Sequence, residues 1–313
     1  MMRTTMRSPI RTRWFAAAVL VAAACSGDAP PPGDDPDGAT GGDDDATTSP
    51  DGGTTIDAPA VPQPGDGVVW TTWNDVQSRS NPAWGADLTD IANHLPSSYG
   101  NQYWDDDPIT AGHETSHGIH AHLRVYVYMG NERVNAFYVL GDQAAYVVEP
   151  GIRKSAIATH VPASLRGSRY SLYITGQVAW DDTPLYIWDE WNAYVNGAEV
   201  GVDLATHGLW NRGWRDAVMG PIEFNVYALA TAMAVKTGDP TYFASNTQFK
   251  EFLAWNLRRS MDLFRAGRVL PDFEWDDQDT YYEKLKTSAD AENLRRFTRE
   301  TFGAEWTMAV MGY

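Results

Sequence analysis

Two histidines four residues apart, His113 and His117, are the residues of this chain best suited to carry out chemistry. Residues at that spacing share one face of an α-helix, so both imidazoles would point at the same place. Imidazole nitrogens bind transition-metal ions, and Glu114 beside His113 could take a proton from a metal-bound water. The spacing therefore predicts a metal site that activates water for hydrolysis.

The helix that this argument needs is predicted independently of the histidines. Asp107 is followed by Pro108, and these residue types favour the N-cap and the first position of a helix. Four of the seven histidines of the chain then fall within residues 113–122. His120 shares the face of the two expected ligands, and we expect His120 and His122 to contact substrate or to pack inside the protein.

The run His-Glu-Thr-Ser-His at residues 113–117 is the H-E-x-x-H pattern and resembles the zinc helix of the zincin metallopeptidases. The resemblance implies Zn²⁺ as cofactor, Glu114 as general base, and a third protein ligand beside one position open to water. The metzincin form of the pattern does not fit, because His120 and Leu123 stand where it requires a glycine and a histidine.

In gluzincins the third ligand is a glutamate from a later helix, and residues 188–197 resemble that helix. Glu190, Tyr194 and Gly197 fall on one helical face, which makes Glu190 the expected third ligand. Five other carboxylates stay open as alternatives. They are Asp189, Glu149, Glu199, Asp203 and Glu223.

Hydrolysis also needs a hydrogen-bond donor for the substrate oxygen that becomes negative. Tyr194, one turn beyond Glu190, and His207 are the expected donors, with His160 as an alternative. An outer carboxylate that orients the ligand imidazoles is expected as well, and Asp189 or Asp203 could serve.

The first 24 residues resemble a bacterial signal peptide, with a basic region followed by a short apolar one at residues 14–24. Residues 22–25 resemble a lipobox, which implies lipidation of Cys25 and anchoring of the exported protein to a membrane of the cell envelope. Plain secretion is the alternative. Cys25 is the only cysteine, so neither an intramolecular disulfide nor a cysteine-based zinc site can form.

Residues 25–66 are predicted to be a disordered acidic linker, because positions 26–66 hold ten aspartates and no lysine or arginine. Subtracting those aspartates and the four arginines of the signal from 41 acidic and 24 basic residues leaves 31 and 20. The domain at 67–313 therefore has a net charge of −11, which argues against binding to nucleic acid or anionic lipid.

The domain is predicted to be α+β and mainly helical, with a small antiparallel β-meander after the zinc-motif helix. The resemblance to zincins implies that this fold is zincin-like. Strands are expected at 124–129, 134–140 and 144–148. Besides the zinc-motif helix, helices are expected at 85–94, 163–178, 184–197, 216–236, 246–266 and 289–302.

The expected substrate is a peptide or protein, including a cell-wall peptide, cleaved by a monomer. Tryptophans beside acids support an alternative, a glycan-binding protein or glycoside hydrolase, because indoles stack on sugars and paired carboxylates supply acid and base. These clusters begin at Trp104, Trp180, Trp188 and Trp275. A catalytically inactive surface lipoprotein is a third reading.

Overall fold

A computed structural model of the chain describes residues 62–99 and 106–313. The predicted signal peptide, Cys25 and the linker up to residue 61 lie outside the described residues, as does Trp104. All described residues belong to one compact unit. None of the helices in these two ranges combines the length and the apolar character needed to cross a membrane.

The fold is mainly helical with one small sheet, which confirms the predicted α+β class. The helices of the described residues are α1 (Gly85–His94), α2 (Pro108–His122), α3 (Tyr186–Thr206), α4 (Met219–Gly238), α5 (Pro240–Ser245), α6 (Thr247–Gly267), α7 (Asp276–Thr287), α8 (Glu292–Phe302) and α9 (Ala304–Met311). The strands are β1 (Thr71–Thr72), β2 (Val134–Tyr138) and β3 (Gln143–Val148), antiparallel in the order β1-β3-β2.

The predicted start of the zinc-motif helix is confirmed. The Asp107 side chain accepts a hydrogen bond from the Ile109 amide, and Pro108 is the first residue of α2. The apolar helix predicted at 216–236 corresponds to α4, which is buried along most of its length. α3 continues nine residues past the predicted end at 197, whereas α5, α7 and α9 were not predicted.

The strand predicted at 124–129 is wrong. Residues Leu123–Val127 continue α2 as a π-helical turn, in which the Tyr128 amide donates to the Leu123 carbonyl. The alternating Val-Tyr pattern resembles a strand, but the fully buried Leu123 holds the segment against the helical core. The third strand of the sheet is β1, which precedes α2 in the chain.

The helix predicted at 163–178 is also wrong, because this region forms three short segments. They are Ala163–Leu165 and Val178–Trp180, both 3₁₀, and Tyr170–Thr175, which is π-helical. Lys154 explains part of the interruption: its ammonium donates to the carbonyls of Tyr173, Ile174 and Gly176 at 2.8, 3.0 and 2.8 Å. An uninterrupted α-helix would bond those carbonyls to backbone amides instead.

Residues 63–67 pack against α6, so the predicted linker extends a few residues too far. The Glu251 carboxylate accepts from the Gly65 and Gly67 amides at 2.7 and 3.2 Å. Arg258 donates to the Pro64 carbonyl at 2.7 Å. The folded part of the chain therefore includes these residues.

Two glycines allow α2 and α3 to cross at close range. A Cβ on Gly197 would lie 2.7 Å from the Ile109 carbonyl oxygen and 3.2 Å from the His113 Cβ. A Cβ on Gly112 would lie 2.9 Å from a methyl group of Val200. This approach brings the histidine face of α2 against the carboxylates near the start of α3.

Replacement of Gly197 by Ala tests this crossing, because two effects have opposite signs. Helix propensity alone would raise the free energy of unfolding by roughly 0.5–1 kcal/mol. The clash with α2 would lower it by roughly 1–3 kcal/mol, and we expect this second outcome. Urea unfolding of the two proteins measures the difference, and a stabilised variant would show that the helices do not require the glycine.

Candidate metal centre

Three predicted ligand atoms from α2 and α3 converge in the structure. The Nε2 atoms of His113 and His117 are 3.1 Å apart. Oε2 of Glu190 lies 3.6 Å from the first and 3.3 Å from the second. These residues form a group that could hold a metal ion.

The size of this triangle fits a tetrahedral zinc site. Zinc binds imidazole nitrogen and carboxylate oxygen at about 2.0–2.1 Å, so two ligand atoms at a tetrahedral angle are about 3.3–3.4 Å apart. The three measured edges lie on both sides of that value. In addition, Oε2 of Glu190 is buried and makes no hydrogen bond of good geometry, and a cation bound there would compensate its charge directly.

The centre is enclosed on the His113 and Glu190 side and opens toward solvent at His117. His113 and Glu190 are 2% and 1% exposed, whereas the His117 side chain is 21% exposed. Burial alone would raise the pKa of Glu190, but the nearby His117 and His113 outweigh it and lower that pKa to about 2. The carboxylate is therefore ionised and available as a ligand.

Glu114 lies on α2 next to His113 and is half-buried. Its Oε1 atom is buried and has no hydrogen-bond partner among the described residues. A carboxylate oxygen that is not engaged elsewhere can accept a proton from a neighbouring water, as the predicted role of general base requires.

Asp189, immediately before Glu190, is the outer carboxylate that orients His117. Its Oδ1 atom accepts from Nδ1 of His117 at 2.7 Å and from Nδ1 of His120 at 2.8 Å. Its Oδ2 atom accepts from Arg124 at 2.6 Å. Burial would raise the pKa of Asp189, but these three partners hold it well below the usual range.

Asp203, the other expected outer carboxylate, is engaged elsewhere. It accepts from the Ala86 and Asp87 amides at 2.7 and 3.2 Å and thereby caps the N-terminus of α1. Glu199 is also unsuited as a ligand, because it is paired with Arg259 at 2.8 Å.

Glu223, an alternative third ligand on the buried helix α4, has other partners as well. It accepts from the Arg169 backbone amide at 2.8 Å and from the Arg169 guanidinium at 3.2 Å. The Tyr227 hydroxyl also donates to it. This buried carboxylate is therefore compensated within the core.

The structure brings Tyr194 to the centre together with two tyrosines that were not predicted. The Tyr194 ring meets the His113 ring edge-on with centroids 4.5 Å apart, and its hydroxyl lies 3.2 Å from that of Tyr173. Tyr186 lies one turn before Glu190, and its buried hydroxyl lies beside the Glu190 carboxylate. Burial and the Glu190 charge raise the pKa of Tyr186, which stays a neutral donor.

His207 is not at the centre. It follows the last residue of α3, its side chain is 66% exposed, and it pairs with Asp203 at 2.9 Å. The seventeen residues from Glu190 to His207 along one helix separate the two by about 25 Å. His160 ends the 3₁₀ segment Lys154–His160, outside the helices α2 and α3 that carry the three predicted metal ligands.

His122 has a packing role, one of the two roles expected for it. Its ring lies 5.4 Å from the ring centroids of both Trp73 and Tyr126.

The tryptophans of the predicted sugar-binding clusters are in part unavailable to a ligand, because Trp188 and Trp191 are fully buried. Trp188 stacks on Phe249 at 4.4 Å, as expected for a core residue.

Comparison with known proteins found no match. No family model, curated protein or solved structure corresponds to this chain. A functional inference must therefore start from the geometry of the centre.

Glu149, another alternative ligand, accepts from the Leu185 amide at 3.1 Å, just before α3 begins. Burial raises its pKa to about 8 from an ordinary value of 4.5. The folded state therefore holds a proton on Glu149 that the unfolded state releases above pH 4.5. Its contribution to stability is complete below pH 4.5 and is lost as the pH rises through 8.

Replacement of Glu149 by Gln should remove this dependence, because the amide keeps an acceptor for Leu185 without ionising. We expect the variant to gain stability relative to the wild type from pH 5 to pH 8.5, by more than about 1 kcal/mol at the upper end. Urea unfolding of both proteins at pH 5, 7 and 8.5 measures the gain. A difference that does not change with pH would contradict a raised pKa.

Proposed function

We propose that this protein is a zinc-dependent hydrolase of peptide bonds, with the metal held by His113, His117 and Glu190. The observation that carries the proposal is the convergence of three ligand atoms at tetrahedral spacing, one of them a buried carboxylate oxygen without a hydrogen bond. Two imidazoles, one carboxylate and an open face form the donor set of a catalytic rather than a structural zinc site.

Glu114 is the proposed general base. Zn²⁺ at this site would supply Lewis acidity and a water of near-neutral pKa. Glu114 would accept a proton from the attacking water and pass it to the nitrogen of the leaving amine. Its unpartnered Oε1 atom on the same helix supports this role.

Tyr186 is the proposed donor to the substrate oxygen that becomes negative, in addition to the expected Tyr194. Both phenols lie one helical turn from Glu190. The Tyr194 hydroxyl already has Tyr173 as a neighbour at 3.2 Å, whereas the Tyr186 hydroxyl lies beside the Glu190 carboxylate, next to the proposed metal site. A preorganised neutral donor at this position stabilises charge only when the reaction creates it.

The proposed setting of the reaction rests on the resemblance of the first 25 residues to a lipoprotein signal. A signal peptide and a lipidated Cys25 would place the enzyme in the bacterial cell envelope as a membrane-anchored monomer, or release it if Cys25 is not lipidated. The substrates proposed are peptides or proteins of that compartment, including cell-wall peptides.

Elemental analysis of the purified protein should give about one zinc per chain. Replacement of Glu190 by Ala should remove most of the metal, because two imidazoles alone leave the site one protein ligand short.

Replacement of Glu114 by Gln should keep the metal and lower peptide hydrolysis by roughly 10²–10⁴-fold.

Replacement of His207 by Ala is the matched control, because that histidine lies far from the centre and should leave both zinc content and hydrolysis unchanged. Full zinc content in the Glu190→Ala protein would contradict the proposed ligand set. Unchanged hydrolysis in the Glu114→Gln protein would contradict the proposed base.

A further inference from the structure

Asp189 is held by a set of donors that all come from one face of α2 and its π-helical extension. His117, His120 and Arg124 follow at intervals of three and four residues, and each donates to this carboxylate. Asp189 is 4% exposed and is fixed from three directions. Of the three donors, only His117 is also a proposed metal ligand.

The direction of each hydrogen bond can be followed from Arg259 on α6. A guanidinium can only donate, so the atom of Asn192 that faces Arg259 at 3.2 Å is the amide oxygen. The Asn192 amide nitrogen then points at Nε2 of His120, 3.1 Å away, and at the Tyr138 carbonyl at 2.6 Å. Nε2 of His120 is therefore an acceptor.

The same reasoning continues to the metal ligand. Because Nε2 of His120 accepts, its ring proton is on Nδ1, and that proton is donated to Asp189. The ionised Asp189 can only accept, so His117 also donates from Nδ1. Nε2 of His117 is therefore the nitrogen that faces Glu190 and His113 and that a metal ion would bind.

These assignments exclude a second metal ion at His117, His120 and Asp189, although their atoms lie close together. Both Nδ1 atoms carry protons directed at the carboxylate, and Nε2 of His120 is occupied by Asn192. Arg124 already compensates the charge of Asp189 at 2.6 Å. The cluster is complete without a cation.

We infer that His120 and Arg124 are positioning residues, which fix Asp189 so that His117 presents Nε2 to the metal. The inference rests on the proposed function, because it concerns the ligand geometry of the same site. It assigns to His120 a role in zinc affinity without any contact between His120 and the metal.

Two substitutions of His120 distinguish the roles of its two ring nitrogens. Asn places an amide donor near the position of Nδ1 and can keep the bond to Asp189, whereas Gln places its amide near the position of Nε2. We expect His120→Asn to bind zinc within about threefold of the wild type and His120→Gln to bind at least tenfold more weakly. Competition with a zinc chelator measures both affinities, and circular dichroism confirms that both variants are folded.

Substitutions of Arg124 give an independent test, because the direction of the change in zinc affinity distinguishes an electrostatic role from a positioning role. Removing a positive charge near a cation should tighten binding if the role of Arg124 is only electrostatic. If Arg124 is a positioning residue, we expect Arg124→Met to bind zinc at least tenfold more weakly than the wild type. We expect Arg124→Lys to recover most of that loss. Equal or tighter binding by Arg124→Met would overturn its role.

A measurement without metal separates this inference from the proposed function. The Nδ1 proton of His117, bonded to Asp189, should give a downfield, slowly exchanging NMR signal in the wild type and in His120→Asn, and none in His120→Gln. Equal signals and equal zinc affinities in the two variants would overturn the role of His120. If the wild-type protein binds no zinc, and the signal is present in the wild type and absent in His120→Gln, only the proposed function is overturned.

Discussion

The negative charges of two consecutive buried carboxylates, Asp189 and Glu190, must be compensated, and the rest of this structure depends on that requirement. Each would be costly to bury as an anion without compensation, and both face the histidine side of α2. Asp189 receives three hydrogen bonds and is satisfied within the protein. Glu190 keeps a buried oxygen without a hydrogen bond between two imidazole nitrogens. This contrast between neighbours indicates that Asp189 supports the histidines and that Glu190 is the candidate metal ligand.

The compensation of these charges extends through the core in a polar layer that crosses several elements. Asn192 and Asn196 on α3 both donate to the Tyr138 carbonyl at the end of β2, and both accept from Arg259 on α6. Asn196 also donates to Ser116 on α2 at 2.9 Å. Because each group has a required direction of donation, the layer favours one register of α2, α3, α6 and the sheet. Apolar packing alone would restrict these positions less.

The local parts of the site could be predicted from the sequence, and the parts set by tertiary packing could not. Helical spacing places His113 with His117, and Glu190 with Tyr194, without knowledge of the fold. Tyr186 shares that spacing with Glu190, but a tyrosine in an apolar helix is usually a core residue. Arg124 was missed because its neighbours alternate like a strand, whereas burial of Leu123 keeps the turn helical. His207 was wrongly expected near the candidate metal site because its position at the end of α3 was not known.

A second buried charge, the ammonium of Lys154, fixes the irregular backbone that carries Tyr173. This segment can therefore line the candidate centre with a fixed geometry although it is not a regular helix. Lys154 is 2% exposed and replaces the helical hydrogen bonds of residues 173–176 with three bonds from its ammonium. Burial lowers its pKa, yet the three carbonyl dipoles provide a setting in which the cation is solvated by the protein. Tyr173 is thus fixed beside Tyr194 by a cation, while His117 is fixed on α2 by an anion. Both walls of the candidate centre are therefore positioned by buried charges, Lys154 and Asp189, that are not among the three candidate metal ligands.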